Sequence, residues 1–75
     1  MNKTNWGIIA TGSIAAKLAE AINSNENSVL YAVASRSENK AKDFAEKFGA
    51  TKHYGSYEQL AADENVDVVY IATPM

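Results

Sequence analysis

Thr11-Gly12-Ser13 interrupts the apolar run Trp6-Gly7-Ile8-Ile9-Ala10 at the point where Ile14, Leu18 and Ile22 begin to recur every four residues. A glycine in such a strand-to-helix turn lets the backbone approach a bound pyrophosphate. The free N–H groups around Ser13 and Ile14, and the positive end of the helix dipole, attract that charge. Ala10-Thr11-Gly12-Ser13-Ile14-Ala15 fits G-x-G-x-x-G/A with alanine at the first and third places and glycine at the second. Ala15 is an accepted small residue for close helix-to-strand packing, and Ala10 requires a turn without positive φ there. By itself the pattern also suits a tight connection that binds nothing. A phosphate loop built on Gly7 and Gly12 is excluded, because Ser13-Ile14 stands where Lys-[Ser/Thr] is required.

The next informative group is Ser35-Arg36-Ser37, about 20 residues beyond the glycine turn. An acidic residue there holds a ribose 2′-hydroxyl, whereas arginine accommodates a 2′-phosphate. Arg36 supplies a planar cation that pairs with phosphate and stacks on adenine. Ser35 adds a hydroxyl donor, and Lys40, one helical turn on, adds charge. This points to NADP in preference to NAD. The competing explanation is a solvated Arg36, with Ser35 or Ser37 as a helix N-cap.

These residues need an α/β scaffold, and the patterning supplies one. The first strand, Trp6 to Ala10, leads into a helix ending near Asn23, with Ala15 and Ala19 beside its apolar stripe. Val29 to Ala34 is a second strand buried on both faces. Ala41, Phe44, Ala45 and Phe48 mark the buried face of a second helix, Lys40, Lys42, Asp43, Glu46 and Lys47 its solvated face, and Gly49 its C-cap. Lys52 to Tyr54 is a brief third strand, Ser56 and Gln59 are spaced as a capping box for a short third helix, and Val66 to Ala72 is a fourth strand. Alternating strands and helices imply right-handed crossovers and a parallel sheet of about four strands in the order 3-2-1-4, with flanking helices. The expected architecture is a partial Rossmann fold: residues 1–75 form the N-terminal part of a dinucleotide-binding domain, whose remainder lies outside the chain.

Composition excludes several function classes. The chain has 75 residues, 47% of them hydrophobic and 21% charged, with one proline and a net charge of −2. That is an ordinary globular balance, with no basic patch for nucleic acid or an anionic membrane surface. Without cysteine there are no disulfides or thiolate ligands, and His53 alone builds no histidine metal cluster. With no signal-like or membrane-spanning segment, a cytoplasmic location is expected. A chain this short buries only about 60% of its unfolded surface, and an apolar fourth strand at the sheet edge predicts self-association.

Taken together, several segments resemble the glucose-fructose oxidoreductase and inositol dehydrogenase family, Gfo/Idh/MocA. They are Trp6 to Ala15, Ala34-Ser35-Arg36-Ser37 with Lys40-Ala41, Tyr54-Gly55-Ser56-Tyr57 with Leu60, and Val66 to Pro74. The resemblance implies hydride transfer between a nicotinamide cofactor and a hydroxylated small molecule such as a sugar or polyol. It also implies that Ala72-Thr73-Pro74 borders the cofactor near its nicotinamide half. Met75 stands where many members have asparagine, a departure from the family pattern. The family's lysine, in a Glu-Lys-Pro segment, and its substrate-domain acid and histidine have no counterparts here, so no catalytic residue is assigned. A non-catalytic dinucleotide-binding or sensor module shares every residue cited. A methyltransferase-like module using S-adenosylmethionine fits less well, since Arg36 stands where a carboxylate is usual.

Overall fold

The computed structural model describes residues 3–9 and 12–72. Seven elements follow in order: β1 (Thr4–Ile9), α1 (Ser13–Asn23), β2 (Ser28–Ala34), α2 (Glu38–Phe48), β3 (Lys52–Tyr54), α3 (Tyr57–Ala61) and β4 (Val68–Ile71). The strands form one sheet in the order β3-β2-β1-β4, and every neighbouring pair is parallel. This is the doubly wound order expected from the alternation of elements. Register is what makes it useful. Ile9 stands opposite both Ala34 and Ile71, and Ala34 stands opposite Tyr54. All four carboxyl ends therefore lie level along one rim, where ligands bind in open α/β sheets.

Helices cover the two sheet faces unequally. On one face, Ala15, Ala19 and Ile22 of α1 and Ala41, Phe44 and Ala45 of α2 pack with Ile8, Leu30 and Val33. On the other, Leu60 of the short α3 packs with Ile9, Ala32 and Ala34, flanked by Tyr31, Tyr54, Tyr57 and Val66. Side chains alternate between faces along a regular strand, yet Tyr31 and Ala32, consecutive in β2, both join the α3 side. The register between β1 and β2 shifts between Trp6 and Gly7, so Tyr31 is the extra residue of a β-bulge. An apolar run buried on both faces has no polar alternation, so nothing in the sequence marks this phase slip.

Gly7 is also explained by packing. A Cβ built on it would lie 2.9 Å from Leu60 Cδ2 and 3.0 Å from Val66 Cγ1, so only glycine lets α3 settle this close to β1. The expected C-cap is present, with Gly49 at φ +80° and its N–H donating to Ala45 O. Two details differ from expectation at the strands. β1 begins at Thr4 rather than Trp6, because Thr4 N–H donates to Asn27 O at 2.8 Å and Asn5 N–H to Asp67 Oδ2 at 2.8 Å. β4 is shorter than Val66 to Ala72, since Val66 is drawn into the α3 core.

Candidate functional site

Gly12 opens α1 as its N-cap, with φ −77° and ψ −173°. That backbone is extended and open to any residue, and a Cβ at this position would meet no atom of the described residues within 4 Å. The glycine is thus required neither by its own conformation nor by packing against the described residues. Its N-cap provides no side-chain hydrogen bond, and the first turn of α1 carries no acidic residue. The other two helices differ. Ser37 Oγ accepts from Lys40 N–H at 3.4 Å with Glu38 in the first turn of α2, and Ser56 Oγ accepts from Gln59 N–H at 3.3 Å with Glu58 in that of α3. First-turn N–H groups lack intrahelical acceptors, so among the described residues α1 presents its donors and positive dipole end at the sheet rim with neither a side-chain cap nor a first-turn acid.

Two grooves meet at Gly12. The larger, about 530 Å³, is lined by Gly12, Lys40, Asp43, Phe44 and Lys47. The smaller, about 210 Å³, is lined by Gly12, Ser13, Ile14 and Ala72. Lys40, Asp43, Phe44 and Lys47 fall at i, i+3, i+4 and i+7, one stripe of α2. Asp43 and Lys47, expected on the solvated face, are therefore groove residues. The stripe was visible in the sequence, but its position opposite Gly12 depends on how α1 and α2 pack.

At the end of β2, Ser35 is 8% exposed, its N–H donates to Tyr54 O at 3.1 Å and its Oγ accepts from Ser37 N–H at 3.3 Å. Accepting through oxygen leaves the Ser35 hydroxyl proton available for donation. Of the two serines considered as caps, Ser37 caps α2, and Arg36 between them is exposed. Ala72 N–H donates to Ile9 O at 3.0 Å, tying the exit of β4 to β1. Ile14 is 62% exposed, which corrects its expected place in the buried stripe of α1. The face turned to the sheet is Ala15, Ala19 and Ile22, and Ile14 lies about 100° around the helix from Ala15. Of the remaining expected site residues, Ala10, Thr11, Thr73 and Pro74 lie outside the described residues.

On the α3 side of the sheet, Tyr54 donates its hydroxyl proton to Asp63 Oδ2 at 2.5 Å, and Asn65 N–H donates to Asp63 Oδ1 at 2.8 Å. The Tyr54 hydroxyl is pushed up to about 12, first by its hydrogen bond to Asp63 and then by burial. The same bond, followed by that from the Asn65 backbone, holds the Asp63 carboxyl below its usual range. His53 Nδ1 is buried with no hydrogen-bond partner among the described residues, and His53 lines neither groove. Among the described residues no group of three or more His, Cys, Asp or Glu is arranged to hold a metal ion, and no helix is long and apolar enough to cross a membrane.

Comparison with known proteins agrees with this geometry. Residues 4–75 match the model of an oxidoreductase family with an NAD-binding Rossmann fold, GFO_IDH_MocA. The chain is 49% identical over 71 residues to trans-1,2-dihydrobenzene-1,2-diol dehydrogenase of Mus musculus, covering 91% of this chain and 21% of that protein. KijD10, a 3-ketoreductase from Actinomadura kijaniata solved with NADP, superposes with a TM-score of 0.91 at 31% identity, over 97% of this chain and 23% of its own. GenD2 from gentamicin A biosynthesis, solved with NAD, superposes with a TM-score of 0.88 at 26% identity, over 99% of this chain and 21% of its own. The chain thus spans about a fifth of the length of these relatives. With the level strand ends, the bare α1 terminus and the match over residues 4–75, the chain belongs to the Gfo/Idh/MocA oxidoreductase family through its NAD(P)-binding Rossmann domain.

Proposed function

We propose that this chain is the NADP-binding portion of an oxidoreductase that moves a hydride between the nicotinamide ring and a hydroxylated small molecule of the sugar or polyol type. Residues 1–75 are then the N-terminal part of the dinucleotide-binding domain, and the groups that act on substrate are supplied from outside this segment. The observation that carries the reading is Gly12, where a Cβ would meet no atom of the described residues at the start of a helix with neither a side-chain cap nor a first-turn acid. A pyrophosphate fits that space and that charge. Gly12, Ser13 and Ile14, with Ala10 and Thr11 before them, would hold the pyrophosphate.

The 2′-phosphate falls to the end of β2. The Arg36 guanidinium offers paired donors to phosphate oxygens, the Ser35 hydroxyl offers a proton, and Lys40 faces Gly12 across the larger groove. No carboxylate occupies positions 35–37 to repel a dianion. Ala72, Thr73 and Pro74, at the exit of β4, would border the nicotinamide half. The diol dehydrogenase and 3-ketoreductase named among the relatives act on a hydroxyl or carbonyl carbon, which supports a hydroxylated substrate.

Calorimetric titration of the purified protein with NADP and NAD tests the reading. Binding of NADP is expected, and Arg36→Ala should weaken NADP by at least about tenfold more than NAD, a difference of about 1.4 kcal/mol. Equal losses for both cofactors would refute the 2′-phosphate role, and no binding of either would refute the nucleotide site itself.

A further inference from the structure

Gly55, at the exit of β3, is held to glycine by a contact with the start of α2. Its φ is not left-handed, yet a Cβ built on it would lie 3.1 Å from Glu38 Cβ and 3.7 Å from both Glu38 Cα and Glu38 Cγ. Glu38 is the first residue of α2. The segment that joins β2 to α2 and carries Arg36 thus comes down onto the turn leaving β3. The residue before Gly55 holds the other end of that segment, for Tyr54 O accepts from Ser35 N–H at 3.1 Å. Tyr54 is itself anchored by its hydroxyl on Asp63. Between these two anchors, Ser35 Oγ accepts from Ser37 N–H at 3.3 Å and Ser37 Oγ from Lys40 N–H at 3.4 Å. The backbone on either side of Arg36 is therefore placed by β3 and its exit turn, while Arg36 itself is exposed.

Neither Tyr54 nor Gly55 lines either groove at Gly12, so an influence of this turn on a nucleotide passes through the Arg36 segment. A guanidinium grips phosphate through two parallel N–H···O bonds, a geometry that fails when the donor plane is displaced. Resting on the NADP reading above, we infer that Gly55 is a positioning residue for the 2′-phosphate: its missing side chain lets α2 start low on the β3 exit turn, and so sets the Arg36 fork at the height the phosphate needs. A side chain at position 55 lifts Glu38 and, with it, the Arg36 backbone. The backbone donors at Gly12 and Ser13 belong to α1 and stay in place, so the loss falls on NADP far more than on NAD.

Calorimetric titration with NADP and with NAD tests this on wild type, Gly55→Ala, Gly55→Val, Arg36→Ala and the Gly55→Val, Arg36→Ala double variant. The alanine methyl asks Glu38 to give by a few tenths of an ångström, and the branched valine asks for more. Losing one charge-assisted hydrogen bond of the fork corresponds to about tenfold in affinity. The NADP dissociation constant should therefore rise about tenfold in Gly55→Val and about threefold in Gly55→Ala, with NAD changed by under about twofold. With Arg36→Ala already present, Gly55→Val should change NADP by under about twofold, because the group it displaces is gone. In a Glu38→Gly background, which removes the crowding carbon, Gly55→Ala should also leave NADP within about twofold of that background. A purely structural role would lower both cofactors together and would survive removal of Arg36. Equal losses for NADP and NAD, no loss in either Gly55 variant, or a full NADP loss in the Arg36→Ala background would each overturn the inference while leaving the nucleotide site standing. Should Gly55→Val not fold, Gly55→Ala with and without Glu38→Gly decides by the same criteria. Wild type binding neither cofactor, or Arg36→Ala weakening both equally, would remove the NADP reading and this inference together.

Discussion

Gly7→Ala, alone and combined with Leu60→Ala, probes the contact that seats α3 on the sheet. The added methyl would sit 2.9 Å and 3.4 Å from the two Leu60 methyls and 3.0 Å from Val66 Cγ1. Carbon pairs prefer about 3.5–4.0 Å. Leu60 has 0% exposure and no outward escape, and a β-branched valine is stiff about χ1. Overpacking of this kind costs about 1–3 kcal/mol. Loss of glycine from the unfolded chain offsets about 0.4–1 kcal/mol of that, leaving a net loss of about 1–2 kcal/mol. Leu60→Ala alone should cost about 2–5 kcal/mol through the cavity it leaves. In the double variant the two Leu60 contacts are gone and the new methyl fills part of the cavity, a gain of up to about 0.8 kcal/mol. The double variant should therefore be more stable than the sum of the singles by about 1–3 kcal/mol. Denaturant unfolding followed by far-UV circular dichroism on all four proteins measures this coupling. Additivity within about 0.5 kcal/mol would refute the close approach of α3 to β1 at Gly7.

Further outcomes follow from other sites. Gly12→Ala should cost under about 1 kcal/mol of stability, since its φ is ordinary and its Cβ meets no atom of the described residues, yet nucleotide binding measured by calorimetry should fall sharply. Gly49→Ala should cost about 1 kcal/mol in the same unfolding assay, because φ +80° is strained for alanine. The Tyr54–Asp63 bond stabilises the fold between two limits. Its contribution through Asp63 is present above the ordinary carboxylate value of 3.8 and is lost as pH falls through the lower folded value. Its contribution through Tyr54 is complete below 10.0 and is lost as pH rises toward about 12. Tyr54→Phe should flatten both arms relative to wild type in unfolding measured against pH. The exposed edge strand β4 should drive concentration-dependent association in sedimentation, reduced by Val69→Lys; a monomer at all concentrations would count against it.

Much of the fold was legible because strand and helix periods differ and alternate cleanly along the chain. Ala41, Phe44 and Ala45 are buried as their spacing requires, and the alternation of elements, read with the glycine turn as a dinucleotide-binding half, led to the order β3-β2-β1-β4. What escaped depends on the partner a residue meets across space. The Tyr31 bulge hides in an apolar run, and Gly7 reads as an ordinary strand residue until α3 is placed over it. Ile14 keeps four-residue spacing with Leu18 and Ile22, so periodicity assigns it to the core. The sheet-facing direction is instead set by Ala15 and Ala19, whose small side chains lie flush on the strands. Asp43 and Lys47 read as solvated charges because nothing local reveals the groove facing Gly12.

The contrast among the glycines gives the turn at Gly12 its meaning. Gly7 is accounted for by the methyls of Leu60 and Val66, and Gly49 by a left-handed backbone that closes α2. Both causes lie inside the fold. Gly12 has neither a left-handed φ nor a neighbour among the described residues to avoid, and it occupies an N-cap position where serine, aspartate or asparagine would bond the first turn. Leaving that cap to glycine forgoes roughly a few tenths of a kcal/mol of helix stabilisation and leaves the first-turn N–H groups without a side-chain cap among the described residues. Of the three helices described, the one without a side-chain cap is the one whose terminus stands at the level ends of β1 and β4, where a doubly wound sheet opens its crevice. A partner outside the fold that brings its own anionic oxygens accounts for both the missing cap and the missing side chain.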